Sequence, residues 1–100
     1  MNAERKPMVL VVDDEESIRK LLKSRLEREG ATVETAPSAD DGITWLKANP
    51  LTEVVVTDLK MPGRDGFAFM QWIKKEMSHT RVLLITGHGE KAVAIRALKE

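Results

Sequence analysis

The hydrophobic positions in the first half of the chain alternate between continuous runs and helical spacing. Met8–Val12 is an unbroken apolar run, typical of a buried strand. Gly30 stands where a helix C-cap is expected, and the β-branched stretch Thr32–Ala36 follows as a second strand. Ser38 can N-cap a second helix, which ends before Pro50. The helix predicted between the first two strands has apolar residues three or four positions apart, at Ile18, Leu21, Leu22 and Leu26.

The same alternation continues in the second half of the chain. Residues 54–56 predict a third strand and residues 82–85 a fourth. Residues 90–100 predict a fourth helix, after a glycine-rich break. Strict alternation of strands and helices indicates an α/β fold, in which helices cover both faces of a parallel sheet. The third helix is predicted over residues 67–77, where it buries Phe67, Met70 and Ile73.

Composition limits the classes of protein that this pattern can describe. The 100 residues include 16 Lys and Arg, 16 Asp and Glu and no Cys, which excludes disulfide scaffolds and thiolate metal sites. The balanced charge offers no surplus for direct nucleic-acid binding, and the longest apolar run is too short for a membrane span. We therefore expect one cytoplasmic domain over residues 8–100, without membrane contact, preceded by a flexible segment at residues 1–7.

Three aspartates directly follow predicted strands. Asp13 and Asp14 come after the first strand, and Asp58 follows the third. Ligands of open parallel sheets bind at the carboxyl ends of the strands, so neighbouring first and third strands would bring these carboxylates together. Taken alone, residues 13–16 more often mark a helix start, where acids favour the positive end of the dipole, and Asp58 fits a loop equally well.

Such a cluster of carboxylates is electrostatically costly. Two like charges about 4 Å apart repel by roughly 4 kcal/mol at an effective dielectric constant of about 20, so a bound cation or raised pKa values must relieve the repulsion. All-oxygen ligands with room for water favour Mg²⁺. A site of this kind suits phosphoryl transfer, in which a carboxylate can attack phosphorus. Thr86, at the end of the fourth strand, is placed to add a hydroxyl hydrogen bond.

Four short motifs follow one another along the chain. They are Val-Val-Asp-Asp-Glu at 11–15, Val-Val-Val-Thr-Asp at 54–58, Met-Pro-Gly-Arg-Asp-Gly at 61–66 and Leu-Ile-Thr-Gly-His-Gly at 84–89. Each is weak by itself, but their order and spacing over residues 8–100 are specific. Together they closely resemble the receiver domain of two-component response regulators.

The resemblance implies roles for the residues of the site. Asp58 would be the phosphoacceptor, which takes a phosphoryl group from a sensor histidine kinase. Asp13 and Asp14 would hold Mg²⁺ together with Asp58 and the backbone carbonyl of Lys60, and Thr86 would be the switch hydroxyl. The module would catalyse only its own phosphorylation, and would control transcription through an output domain that is not in this sequence.

The resemblance also implies a flavodoxin-like, doubly wound sheet. The family pattern has strand order 2-1-3-4-5 and continues with a fifth strand, a Lys at its end and a fifth helix. Because the sequence stops at Glu100, we expect a C-terminally incomplete domain of order 2-1-3-4 that lacks the fifth strand and helix. Without the Lys, phosphorylation would be slow. The fourth strand would be a bare edge, which favours a homodimer or strand exchange.

Two other functions stay open at this stage. A Mg²⁺-dependent phosphatase with an Asp nucleophile would share the chemistry, but it usually needs a second acid two positions after the nucleophile, where Lys60 stands. A protein-interaction module that is not phosphorylated would show no effect of Mg²⁺ on folding.

Overall fold

A computed structural model of the chain describes residues 6–58, 66–86 and 94–98, with the backbone alone described at residues 86 and 94–98. Its first seven elements alternate between strand and helix, as the hydrophobic pattern predicts. The strands are β1 (Met8–Val12), β2 (Thr32–Ala36), β3 (Val54–Asp58), β4 (Arg81–Thr86) and β5 (Ala94–Leu98). The helices are α1 (Glu16–Arg28), α2 (Ala39–Ala48) and α3 (Gly66–Glu76).

The described strands form one sheet in the order β2-β1-β3-β4-β5. The first four are parallel, and β1 lies between β2 and β3. This confirms the predicted flavodoxin-like order 2-1-3-4. Because β2 and β3 lie on opposite sides of β1, the strand order reverses direction beside β1, and a ligand crevice is expected at the carboxyl ends of β1 and β3.

Alternating side chains of β1 belong to two hydrophobic clusters, one on each face of the sheet. Leu10 and Val12 are fully buried in the cluster that α2 and α3 cover. Val9 and Val11 belong to the other cluster, against which Leu22 of α1 packs. Since successive side chains of a strand point to opposite faces, β1 is anchored from both sides. This packing fixes the point at which the strand ends.

Gly42 allows α2 to lie close to the sheet. A Cβ atom at this position would come within 3.0 Å of Cζ of Phe69 and 3.1 Å of Cγ2 of Val12. Both neighbours are fully buried and have little room to move. A larger residue would therefore push α2 away from β1 and α3.

Two predicted signals at helix ends are confirmed. The side chain of Ser38 accepts a hydrogen bond of 3.1 Å from the N–H of Asp41, so it N-caps α2. Gly30, two residues after α1, has a φ angle of 105°. This left-handed conformation is open to glycine, whereas a residue with a side chain resists it.

The buried face of α3 differs from the predicted face. Phe69, Met70 and Ile73 are buried, whereas Phe67 is 51% exposed. Phe67 precedes Phe69 by two residues, about 200° around the helix axis, so packing of Phe69 against the sheet turns Phe67 toward solvent. Leu21 of α1 is likewise 57% exposed, because it lies beside the row of residues that face the sheet.

The prediction of a fourth helix over residues 90–100 is wrong for residues 94–98, which form β5. This strand is antiparallel to β4, with Thr86 opposite Ala94 and Val82 opposite Leu98. Apolar spacing alone does not account for the N–H and C=O groups on the outer edge of β4, which a neighbouring strand satisfies. The bare fourth strand, on which the expected homodimer or strand exchange depended, is therefore not found in the described part of the chain.

The segment before β1 is described only from Lys6, so most of the predicted flexible segment 1–7 lies outside the described residues. Pro7 accepts a hydrogen bond of 2.9 Å from the N–H of Thr32 at the start of β2. Among the described helices, none has the length and hydrophobicity needed to cross a membrane.

We expect Gly30→Ala to lower the free energy of unfolding by about 1–2 kcal/mol, because alanine is strained at positive φ. Clashes with other parts of the chain would not contribute, since a Cβ atom there would meet nothing within 4 Å. Gly30→Asn should cost less, because asparagine tolerates this conformation better than alanine. Urea unfolding followed by the fluorescence of Trp45 and Trp72 measures both changes. Equal stability of Gly30→Ala and the unchanged chain would contradict this explanation.

Candidate metal centre

The register of two parallel strands brings two aspartates side by side. Val12 of β1 pairs with Thr57 of β3, so the next residues, Asp13 and Asp58, come level at the end of the strands. Asp14 follows in the loop between β1 and α1. Each of the three aspartates offers a carboxylate oxygen within 4.8 Å of those of the other two, as the sequence predicts. Asp13 and Asp58 are buried and Asp14 is exposed, so the cluster opens to solvent on one side.

Asp13 is held in place by hydrogen bonds to its backbone and its side chain. Its N–H donates to the carbonyl of Ala36 at the end of β2, over 3.2 Å. Its carbonyl accepts a hydrogen bond of 2.7 Å from Nη1 of Arg19, and its Oδ1 accepts one of 2.8 Å from the N–H of Glu15. The end of β2 and the start of α1 therefore hold the backbone of Asp13, and the bond from Glu15 orients its carboxylate.

Burial and neighbouring charges make the ionised form of Asp13 costly. Loss of hydration on burial is the main cause that raises its pKa from 3.8 to about 6. The negative charges of Asp58, Asp14 and Glu15 raise the pKa further, while the hydrogen bond from the N–H of Glu15 opposes the rise. A cation between the carboxylates would relieve this repulsion.

The donor set fits a small, hard divalent ion. Carboxylate oxygens are the preferred protein ligands of Mg²⁺, which retains several waters, and one open side leaves space for them. The oxygen separations, all within 4.8 Å, are comparable with the roughly 4.2 Å between opposite ligands of one Mg²⁺ ion. Asp13, Asp14 and Asp58 therefore suit a Mg²⁺ site.

The acids of residues 13–16 serve both as a helix start and as part of the carboxylate cluster, the two roles that the sequence predicts. Glu15 occupies the N-cap position without a side-chain capping hydrogen bond, and Glu16 begins the helix. Their charges lie at the positive end of the helix dipole, as expected for a helix start. Asp13 precedes the helix and instead joins Asp58 in the cluster.

The other predicted site residues are described only in part. Thr86 ends β4, one residue beyond Ile85, which pairs with Asp58, so its backbone lies at the same edge of the sheet. Its side chain and all of Lys60 lie outside what the structure describes. One contact that sequence analysis missed is that of Arg19 with Asp13. Its only signal is position, because residue 19 lies one helical turn after Glu15 and so turns back toward the loop.

The raised pKa of Asp13 predicts how the stability of the metal-free protein depends on pH. Between about pH 3.8 and 6 the folded state binds more protons at Asp13 than the unfolded state does, so stability falls as pH rises through this window. Protonated Asp13 therefore makes its full contribution to the free energy of unfolding below this pH window, and the contribution is lost above it.

Asp13→Asn removes this titration and keeps an oxygen that accepts from the N–H of Glu15. The free energy of unfolding of the unchanged chain minus that of this variant should therefore fall by on the order of 2 kcal/mol between pH 4 and about pH 7. Urea unfolding in EDTA across this range measures the difference, since the other groups titrate in both proteins. A difference that does not change with pH would contradict the assignment.

Comparison with known proteins identifies the family to which this chain is related. A family model described as the response regulator receiver domain matches residues 9–100. The transcriptional regulator of C4-dicarboxylate transport, DctD, from Rhizobium meliloti is 33% identical over 94 residues, which cover 94% of this chain and 20% of DctD. The chain thus spans about a fifth of that relative.

Solved structures show the same fold. A receiver domain protein from Clostridium thermocellum is 39% identical with a TM-score of 0.78, covering 83% of this chain and 67% of that one. The response regulator TrrA from Thermotoga maritima, solved in complex with Mg²⁺-BeF, is 32% identical with a TM-score of 0.75, covering 83% and 71%. From its sequence, sheet order and acidic cluster, this chain belongs to the receiver domain family of response regulators.

Proposed function

We propose that the chain is a phosphoacceptor module that receives a phosphoryl group on Asp58. The observation that carries this proposal is the convergence of Asp13, Asp14 and Asp58 at the carboxyl edge of the sheet. Asp13, Asp14 and Asp58 hold Mg²⁺ together with the backbone carbonyl of Lys60. The structure of the similar protein TrrA in complex with Mg²⁺-BeF supports Mg²⁺ as the ion of this site.

Asp58 supplies the nucleophile. One of its carboxylate oxygens attacks phosphorus, the bond from phosphorus to the donor nitrogen breaks, and the electron pair leaves with the imidazole of the kinase histidine. Mg²⁺, when bound, neutralises charge on the phosphoryl oxygens. Burial of Asp58 limits the access of bulk water to this carboxylate, and the hydrogen bonds of Asp13 hold a second carboxylate beside it.

Thr86 is the switch residue in this proposal. Its backbone ends β4 next to β3, within one residue of the partner of Asp58. In the phosphorylated protein its hydroxyl would donate a hydrogen bond to the phosphoryl group.

The proposed partners are those expected of a receiver domain and of the transcriptional regulators that this chain resembles. A sensor histidine kinase donates the phosphoryl group in the cytoplasm, and residues 8–100 act as one receiver domain after the segment 1–7. Several similar proteins are transcriptional regulators, including DctD and ResD, and this chain spans only 20% and 37% of their lengths. Control of transcription through an output domain is therefore part of the proposal.

An enzyme that turns over an external phosphate ester is less well supported. The second position after Asp58 is Lys60, which cannot protonate a leaving group as a carboxylic acid does. The module is therefore expected to catalyse only the transfer to its own aspartate.

We expect acetyl phosphate with Mg²⁺ to phosphorylate the chain, and Asp58→Asn to reduce the labelling to background, because an amide oxygen is a poor nucleophile. Intact-protein mass spectrometry measures the labelling. Asp41→Asn is the matched control, since it removes an exposed carboxylate at the start of α2. EDTA should also suppress the reaction. Labelling of Asp58→Asn at the level of the unchanged chain would refute the assignment.

We also expect Mg²⁺ to stabilise the fold, because it binds the native cluster and not the unfolded chain. At about 100 times the dissociation constant the gain is about 2.7 kcal/mol. Asp14→Asn should lose most of this gain, while Asp41→Asn should keep it. Urea unfolding with and without Mg²⁺ measures each difference. No stabilisation of the unchanged chain by millimolar Mg²⁺ would favour the interaction module without phosphorylation.

A further inference from the structure

Arg19 ties helix α1 to the end of strand β1. Its Nη1 donates a hydrogen bond of 2.7 Å to the backbone carbonyl of Asp13, and its side chain is half-buried. A guanidinium is always charged near neutral pH, and charge-assisted hydrogen bonds of this length are stronger than neutral ones. This hydrogen bond is therefore strong enough to restrain the backbone between Asp13 and Arg19.

The segment closed by this contact carries two of the three carboxylates. Asp13 and Asp14 lie between the end of β1 and Glu15, the N-cap of α1. The hydrogen bond from the N–H of Glu15 to Asp13 restrains the side chain. The bond from Arg19 restrains the carbonyl of the same residue, and so sets the direction in which the chain continues to Asp14.

The structure separates this positional effect from a simple effect of charge. Arg19 contacts a backbone carbonyl, and the charges that shift the pKa of the Asp13 carboxylate are those of Asp58, Asp14 and Glu15. The neighbouring Lys20 also adds a positive charge to this turn of α1, but it pairs with Glu16 at 3.2 Å and its side chain is 75% exposed. Lys20 thus provides a matched charge without the contact to Asp13.

We infer that Arg19 is a positioning residue for the metal site. By holding the Asp13 carbonyl, its guanidinium fixes the loop between β1 and α1 so that the carboxylates of Asp13 and Asp14 face Asp58. The inference rests on the proposed Mg²⁺ site. It assigns to Arg19 a role in metal affinity beyond its role in anchoring the helix.

The test is the dissociation constant of Mg²⁺, measured by isothermal titration calorimetry on the full chain. Residues that orient metal ligands typically contribute about 10–100-fold to affinity. We expect Arg19→Gln to weaken binding by about tenfold, at the lower end of that range. Arg19→Lys should weaken it by about threefold, because the ammonium keeps the charge but lacks the planar donor geometry. Lys20→Gln should change it by less than about twofold, because the charge it removes is exposed and screened.

Urea unfolding in EDTA separates this role from a purely structural one. A loss of stability for Arg19→Gln with an unchanged Mg²⁺ dissociation constant would overturn the inference, and so would an equal loss of affinity in Lys20→Gln. If Arg19→Gln does not fold, Arg19→Lys replaces it, and affinity equal to that of the unchanged chain overturns the inference. Failure of the unchanged chain to bind Mg²⁺ would instead refute the proposed function on which the inference rests.

Discussion

Repulsion among the carboxylates of Asp13, Asp14 and Asp58 is the constraint to which the rest of the site responds. Parallel pairing of β1 with β3 brings Asp13 level with Asp58, because the apolar residues before them fix the register. Packing on both faces of β1 holds the strand end in place. The fold therefore holds together three carboxylates that would repel one another and move apart if they were free. A divalent cation converts this repulsion into binding energy, so metal affinity and stability arise from the same packing.

Most of the fold and the main part of the site follow from local sequence signals. Continuous apolar runs predict β1, β3 and β4, and β-branched residues predict β2. Helical spacing and end signals predict the three helices between them. Gly30 and Ser38 mark helix ends correctly, because each acts through its own backbone or side chain. Convergence of Asp13 and Asp58 could also be predicted, since it needs only the strand order and the ends of two strands.

The features that could not be predicted depend on contacts between distant parts of the chain. Phe67 and Phe69 are equally apolar, and only the packing of α3 against the sheet decides which is buried. The spacing of residues 94–98 suits a helix, but pairing with the edge of β4 makes them a strand. The position of Arg19 one turn into α1 places it near the loop, but its contact with the Asp13 carbonyl depends on how α1 packs against β1.

The most direct measurement is a crystal structure of the chain grown in Mg²⁺, at a resolution that defines the coordination of the ion. We predict one ion at the carboxyl edge of the sheet, with oxygens of Asp13 and Asp58 at about 2.0–2.1 Å and Asp14 bound directly or through water. An ion bound elsewhere, or carboxylates of residues 13, 14 and 58 turned too far apart to share one, would contradict the proposed site.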